Sequence, residues 1–166
     1  MGRIDKENYY LDIAQTVAGR STCLRRCYGA ILVKSDEIIS TGYNGAPRGR
    51  RNCVDLSYCT REALNIPSGE RYELCRSVHA EANAIISASR RDMAGGTIYL
   101  VGRNAATGEL LNDATSCLMC RRMIINAGLD RVVIRRTETE FEVVPVEAWI
   151  AEDDLLTPEN VVMDLK

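Results

Sequence analysis

The stretch "RSVHAEANAI", residues 76–85, holds the only histidine of the chain, and a carboxylate follows it two positions later. The residues around the pair are small and apolar, the pattern of a helix that packs closely against a neighbour. His79 and Glu81 open that helix, and its apolar pattern does not require them. A single histidine beside a glutamate is most often a surface pair. The pair therefore takes its meaning from what the rest of the chain supplies.

A second unusual helix start lies downstream in "CLMCRRMIINAG", residues 117–128. Cys117 and Cys120 are three positions apart, so both sulfurs fall on one face near the helix N-terminus, where the helix dipole favours thiolates. Taken alone, C-x-x-C reads as a redox pair, half of a structural zinc finger or part of a catalytic centre. Together with His79 it offers one imidazole and two thiolates. Three protein ligands leave the fourth tetrahedral position of a zinc ion open to water, which separates a catalytic site from a closed structural one. Glu81 is then placed to shuttle protons beside the metal. H-x-E followed later by P-C-x-x-C is the signature of zinc-dependent nucleobase deaminases, and this chain carries it with serine in place of the proline.

The elements between and around these motifs read as an alternation of strands and helices. Asp5 caps a helix running to about Val17. "YGAILVK" and "EIISTGYN" form two antiparallel strands over residues 28–44, joined by a turn at "SDE". "HAEANAIISASRR" reads as one helix, "GGTIYLVG" as a turn and strand, "CLMCRRMIINAG" as a helix closed by Gly128, and "LDRVVIRR" as a strand. "FEVVPVEAWI" adds a short strand and a turn of helix. The order α, β, β, α, β, α, β predicts an α/β fold with a mixed sheet covered by helices. Residues 1–150 are expected to form one domain and residues 151–166 an acidic tail. The 166 residues suffice for one apolar core.

Composition narrows the functional classes. The formal charge is −2, with 46% hydrophobic and 27% charged residues, so no overall attraction draws the chain to nucleic acid or anionic membrane. Basic residues nevertheless cluster at Arg20, Arg25, Arg26, Lys34, Arg48, Arg50 and Arg51, while every charge from Glu138 to Asp164 is acidic. A local basic pocket is compatible with an acidic whole. No apolar run is long enough to span a bilayer, and the polar start "MGRIDKENYY" does not fit a signal peptide, so a cytoplasmic protein is expected. In a reducing compartment the seven cysteines are metal ligands or buried thiols more readily than disulfides.

On these motifs, and over residues 10–136, the sequence resembles the cytidine and deoxycytidylate deaminase family. "GYNGAPRG" (42–49) resembles the G-Y-N-G-x-P-x-G segment of its deoxycytidylate branch, "VHAEANAI" (78–85) its zinc and glutamate helix, and "CLMCRRMIINAGLDRVV" (117–133) its C-x-x-C helix and following strand. The resemblance implies a three-layer α/β/α fold with about five strands. It also implies zinc held by His79, Cys117 and Cys120, proton transfer by Glu81, and a substrate hydrogen bond from Asn44. Without it, Asn44 reads as a turn residue of an N-G pair. The implied reaction is hydrolytic deamination of deoxycytidylate (dCMP) to dUMP and ammonia. Homo-oligomers and control by dCTP and dTTP follow from the same likeness. Ser116 stands where the family has proline, and "VGRNAATGELLNDAT" (101–115) is longer than the family connection and reads as an inserted hairpin with "ATGE" at its tip.

The remaining cysteines suggest a second metal. Cys23, Cys53, Cys59 and Cys75 border the long irregular stretch from Gly45 to Cys75, and their placement resembles that in deaminases with an additional structural zinc. Four thiolates there would order a segment poor in apolar residues. Buried free thiols are the alternative, and Cys27 is expected to be free. Arg25, Arg26 and Arg48 are candidates for a nucleotide phosphate, because a guanidinium fork matches phosphate oxygens. Besides dCMP deamination, a non-catalytic zinc-binding competence-associated module and a deaminase of another base or nucleotide fit the same motifs.

Overall fold

A computed structural model describes residues 2–152. Its elements are α1 (Lys6–Ala18), β1 (Arg26–Lys34), β2 (Glu37–Tyr43), α2 (Cys53–Leu56), α3 (Thr60–Ala63), α4 (Ala80–Ile86), α5 (Arg90–Met93), β3 (Thr97–Asn104), α6 (Leu118–Ala127), β4 (Arg131–Arg135), β5 (Phe141–Pro145) and α7 (Val146–Ala151). A single turn of 3-10 helix covers Tyr72–Leu74. The five strands form one sheet in the order β2-β1-β3-β4-β5. Only the β3–β4 pair is parallel, so the expected mixed α/β sheet is present.

The sheet separates two apolar clusters because successive side chains of a strand point to opposite faces. Ile31, Val33, Tyr99, Val101 and Val133 face α1, which contributes Tyr10, Leu11 and Ala14. Their neighbours Ala30, Leu32, Ile98, Leu100, Val132 and Ile134 face the other way, against Ala80 and Ala84 of α4 and Ile124 and Ala127 of α6. These layers match the expected α/β/α arrangement.

Local chemistry sets the element boundaries. Asp5 accepts the Asn8 N–H at 2.9 Å and caps α1. Ser35 and Asp36 both take positive φ, 51° and 68°, which gives a two-residue β1–β2 turn whose twist suits a hairpin. Gly42 lets α4 approach β2, since a Cβ there would collide with the backbone of Ala80 and Ala84. The expected single helix over 79–91 is broken after Ile86. Ser87 turns its hydroxyl back to the Asn83 carbonyl at 2.8 Å, and Ser89 starts a new helix by capping the Asp92 N–H. Pro145 closes the edge strand β5, where a missing N–H costs no ladder bond. The acidic tail expected over 151–166 lies outside the described residues from position 153 onward.

Candidate active site

His79 and Cys117 are the N-caps of α4 and α6, and Cys120 lies one turn into α6. Both helices start at the same end of the sheet. The bridge between Gly45 and Val78, with N–H···O distances of 3.1 and 2.8 Å, anchors the chain just before His79. The Asn83 side chain ties α4 to the Tyr43 carbonyl at 2.8 Å, and Ser40 donates to the Ala84 carbonyl at 2.7 Å. A rigid seat thus holds the catalytic end of α4.

His79 Nδ1 stands 3.4 Å from the Sγ of both Cys117 and Cys120, and the three donor atoms lie within 4.8 Å of one another. A tetrahedral zinc with bonds of about 2.3 Å to sulfur and 2.0–2.1 Å to nitrogen requires donors about 3.5 Å apart, so the set fits that metal. Among the described residues it is the one cluster of three such ligands. Hydrogen bonding from Cys120 holds the Cys117 thiol down at about 4, and the same contact pushes Cys120 above its usual range. Burial works against a proton on His79, but the Cys117 and Cys75 sulfurs outweigh it and raise the imidazole to about 10. Metal binding therefore has to displace the protons that the imidazole and the Cys120 thiol favour.

Glu81 is 4% exposed. Burial pushes its carboxyl up, while its own backbone N–H, His79 and Ser116 favour the charged form. A carboxyl shifted upward in this way is suited to taking and returning a proton. Glu81, His79 and Cys117 line one pocket together with Asn44, Arg25 and Arg26.

The other expected site residues are distributed unevenly. Asn44 is buried, and its amide oxygen accepts from Ser21 Oγ at 2.6 Å and the Tyr28 N–H at 2.8 Å. Its Nδ2 donates to the Arg26 carbonyl at 2.8 Å, so one N–H remains for a ligand. Arg26 also donates to Asp113 at 3.2 Å. Arg48 does not join the pocket. The turn closed by Arg50 N–H to the Pro47 carbonyl, with Gly49 at φ 83°, carries it to the exposed side of the loop.

Cys23, Cys59 and Cys75 line the same pocket, and Cys53 is buried close enough for the other three thiols to add to the upward push that burial gives it. The four sulfurs are near neighbours without converging as the His79 set does. All seven cysteines are free thiols. Residues 101–115 form the expected hairpin: β3 continues through Asn104, Arg103 bridges Leu110, and Gly108 at φ 74° turns the tip.

Seven lining residues were not among the expected set, and Tyr28, Arg61 and Tyr72 are the largest of them. Tyr72 meets the His79 ring edge-on, with centroids 4.7 Å apart. The Arg61 guanidinium lies 4.4 Å from the centre of the same Tyr72 ring. No spacing in "CTREA" or "RYELC" marks these residues, because the fold of the irregular segment alone brings them to the histidine.

One imidazole, two cysteine sulfurs and a buried carboxyl beside a pocket lined by arginines define a metal-assisted hydrolase site acting on a small polar substrate. The sequence profile of the family described as "Cytidine and deoxycytidylate deaminase zinc-binding region" matches residues 4–136, and the chain belongs to this family of zinc-dependent hydrolytic deaminases. The deoxycytidylate deaminase of Mycobacterium phage D29 is 38% identical over 138 residues, which span 80% of this chain and 96% of that protein. That of Schizosaccharomyces pombe is 35% identical over 127 residues, 76% of this chain and 36% of the longer yeast protein. Among solved structures, the dCMP deaminase of cyanophage S-TIM5 superposes with a TM-score of 0.53 at 25% identity, covering 78% of this chain and 81% of that one. Among the described residues, no helix is long and apolar enough to cross a membrane.

Proposed function

We propose that this chain hydrolyses dCMP to dUMP and ammonia, with His79, Cys117 and Cys120 as zinc ligands and residues 1–150 as one deaminase domain. The observation that carries the reading is the placing of buried Glu81 beside the metal donors in a pocket that also holds Arg25 and Arg26. Zinc bound there would supply a water acidified for attack on C4 of cytosine. Glu81 accepts the proton lost from that water and delivers it to N3, and a later transfer through Glu81 lets the C4–N4 bond break with release of ammonia. The remaining Nδ2–H of Asn44 is free to donate to the sugar. Arg25 and Arg26 supply guanidinium donors for the 5′-phosphate.

Ammonia release from a panel of cytosine, adenine and guanine nucleosides and nucleotides tests this reading. The expected result is a strong preference for dCMP over deoxycytidine. Equal efficiency on both would overturn the nucleotide assignment, and turnover of a purine instead would overturn the base. A zinc module without turnover is disfavoured by the intact Glu81.

Further assignments belong to the same reading. Cys23, Cys53, Cys59 and Cys75 bind a second, structural zinc, supported by their closeness and by the scarcity of apolar residues around them. Exposed Ile86, Leu118 and Met119 support association of copies into a homo-oligomer, which light scattering measures. Control by dCTP and dTTP rests on family likeness and is read from the dCMP rate with each added. Reactive thiolate ligands need reducing surroundings, which favours the cytoplasm.

A further inference from the structure

Arg61 is an unusually placed charge. It is 7% exposed, yet it makes no ion pair with any carboxylate among the described residues. One of its terminal nitrogens donates to the Pro67 carbonyl at 2.6 Å, and its Nε–H is buried without a partner. A cation withdrawn from water with no carboxylate in ion-pair contact is costly, and buried polar groups without partners are rare enough to demand a reason. The hydroxyl of Ser77 is a second buried group without a partner on the same wall.

The surroundings of Arg61 point toward the pocket. Arg61 lines the cavity that contains Glu81 and His79, and its guanidinium and the imidazole both contact the Tyr72 ring. The stacked ring fixes the plane of the guanidinium, and the Pro67 carbonyl occupies one edge of the fork. Of the two other arginines lining the pocket, Arg26 is already engaged by Asp113. A buried, oriented guanidinium with no contact ion pair beside a small-molecule pocket is suited to a dianionic group on the ligand.

We infer that Arg61 also binds the 5′-phosphate of the substrate, so that the wall formed by residues 59–77 contributes, beside Arg25 and Arg26, to selection of a nucleotide over a nucleoside. The inference rests on the proposed nucleotide substrate, and its test separates the two. The zinc-loaded protein is assayed on dCMP and on deoxycytidine as Arg61→Gln and as Arg61→Lys, which keeps the charge and loses the fork. Arg61→Gln is expected to lose about ten- to a hundredfold in kcat/KM on dCMP and much less on deoxycytidine, with Arg61→Lys between it and the unaltered protein. Equal losses on both substrates, or loss of zinc, would assign Arg61 to holding the wall and refute phosphate binding.

A measurement on the unaltered protein covers the case in which the variants do not fold. The ¹⁵N signal of the Arg61 Nε–H should move on addition of dUMP and stay in place on addition of deoxyuridine. A signal indifferent to dUMP overturns the inference. If the unaltered protein itself prefers no nucleotide, the substrate reading fails; if it prefers dCMP and the Arg61 variants keep that preference in full, the failure belongs to Arg61 alone.

Discussion

His79 and Cys117 sit at the caps of helices seated on the sheet, whereas Cys59, Arg61 and Tyr72 belong to an irregular segment that contributes no residue to either apolar cluster. The first half of the pocket is positioned by the same packing that makes the fold. Ala80 and Ala84 of α4, and Ile124 and Ala127 of α6, are core residues, so the ligands they carry cannot shift without disturbing the interior. The second half is held by short helices, turns and thiols. The proposed metal and proton chemistry thus rests on the half packed against the sheet, and the proposed phosphate contact of Arg61 rests on the half held by loops.

The largest effects should therefore come from the sheet-borne half and leave the fold intact. Cys117→Ser or Cys120→Ser is expected to abolish both catalytic metal and turnover, since a hydroxyl is a poor replacement for a thiolate. Glu81→Gln should retain zinc and lose about 10² to 10⁴-fold in kcat. Elemental analysis and ammonia release on the same samples distinguish the two results. Full turnover in zinc-loaded Glu81→Gln would show that the proton passes elsewhere.

Next come the changes at the rim. Arg25→Ala should narrow the ratio of kcat/KM for dCMP over deoxycytidine by roughly ten- to a hundredfold, chiefly through the reaction with dCMP. Arg26→Ala should narrow it less, because Asp113 already engages that guanidinium. The reverse order would mean that Asp113 releases Arg26 when the ligand arrives.

The irregular half gives a smaller effect on chemistry and a larger one on local order. Cys53→Ser is expected to reduce zinc from two ions per chain to one and to make the segment between Gly45 and Val78 easier to cleave by protease, while the catalytic zinc stays. One zinc in the unaltered protein, unchanged by the substitution, would leave the four cysteines as buried thiols.

The same division explains what could be read from the sequence. The alternation of Ile98, Tyr99, Leu100 and Val101, the cap at Asp5 and the H-x-E and C-x-x-C spacings are local patterns, and the structure reproduces the sheet and the metal set they predict. The break at Ser87–Ser89 escaped because serine is tolerated within a helix until its hydroxyl turns to the backbone. Arg48 and Arg61 exchange their expected prominence for a tertiary reason. A tight turn at Pro47–Arg50 takes the first away from the pocket, and contacts with Pro67 and Tyr72 bring the second to it. Neither is encoded by spacing along the chain.

The smallest effect lies on the opposite face, where α1 meets the hairpin. Tyr10 buries its ring beside Tyr99 and donates its hydroxyl to the Asp36 carboxylate at 2.5 Å and to the Asp36 carbonyl at 3.1 Å. Tyr10→Phe keeps the ring and removes the hydroxyl, so Tm should fall by no more than about 4 °C with ammonia release unaffected. The hydrogen bond from Tyr10, aided by Lys6, holds the Asp36 carboxyl below its usual range. A carboxyl depressed by folding contributes stability above its unfolded pKa of 3.8 and loses that contribution as pH falls through the folded value. The same bond raises Tyr10 to about 12 from 10, so its contribution is complete below 10 and disappears as pH rises through about 12. The Tm difference between the two proteins should thus be constant from pH 5 to 9 and shrink toward both extremes. A difference that persists undiminished below pH 3 would mean that the hydroxyl acts through the Asp36 carbonyl rather than its carboxylate.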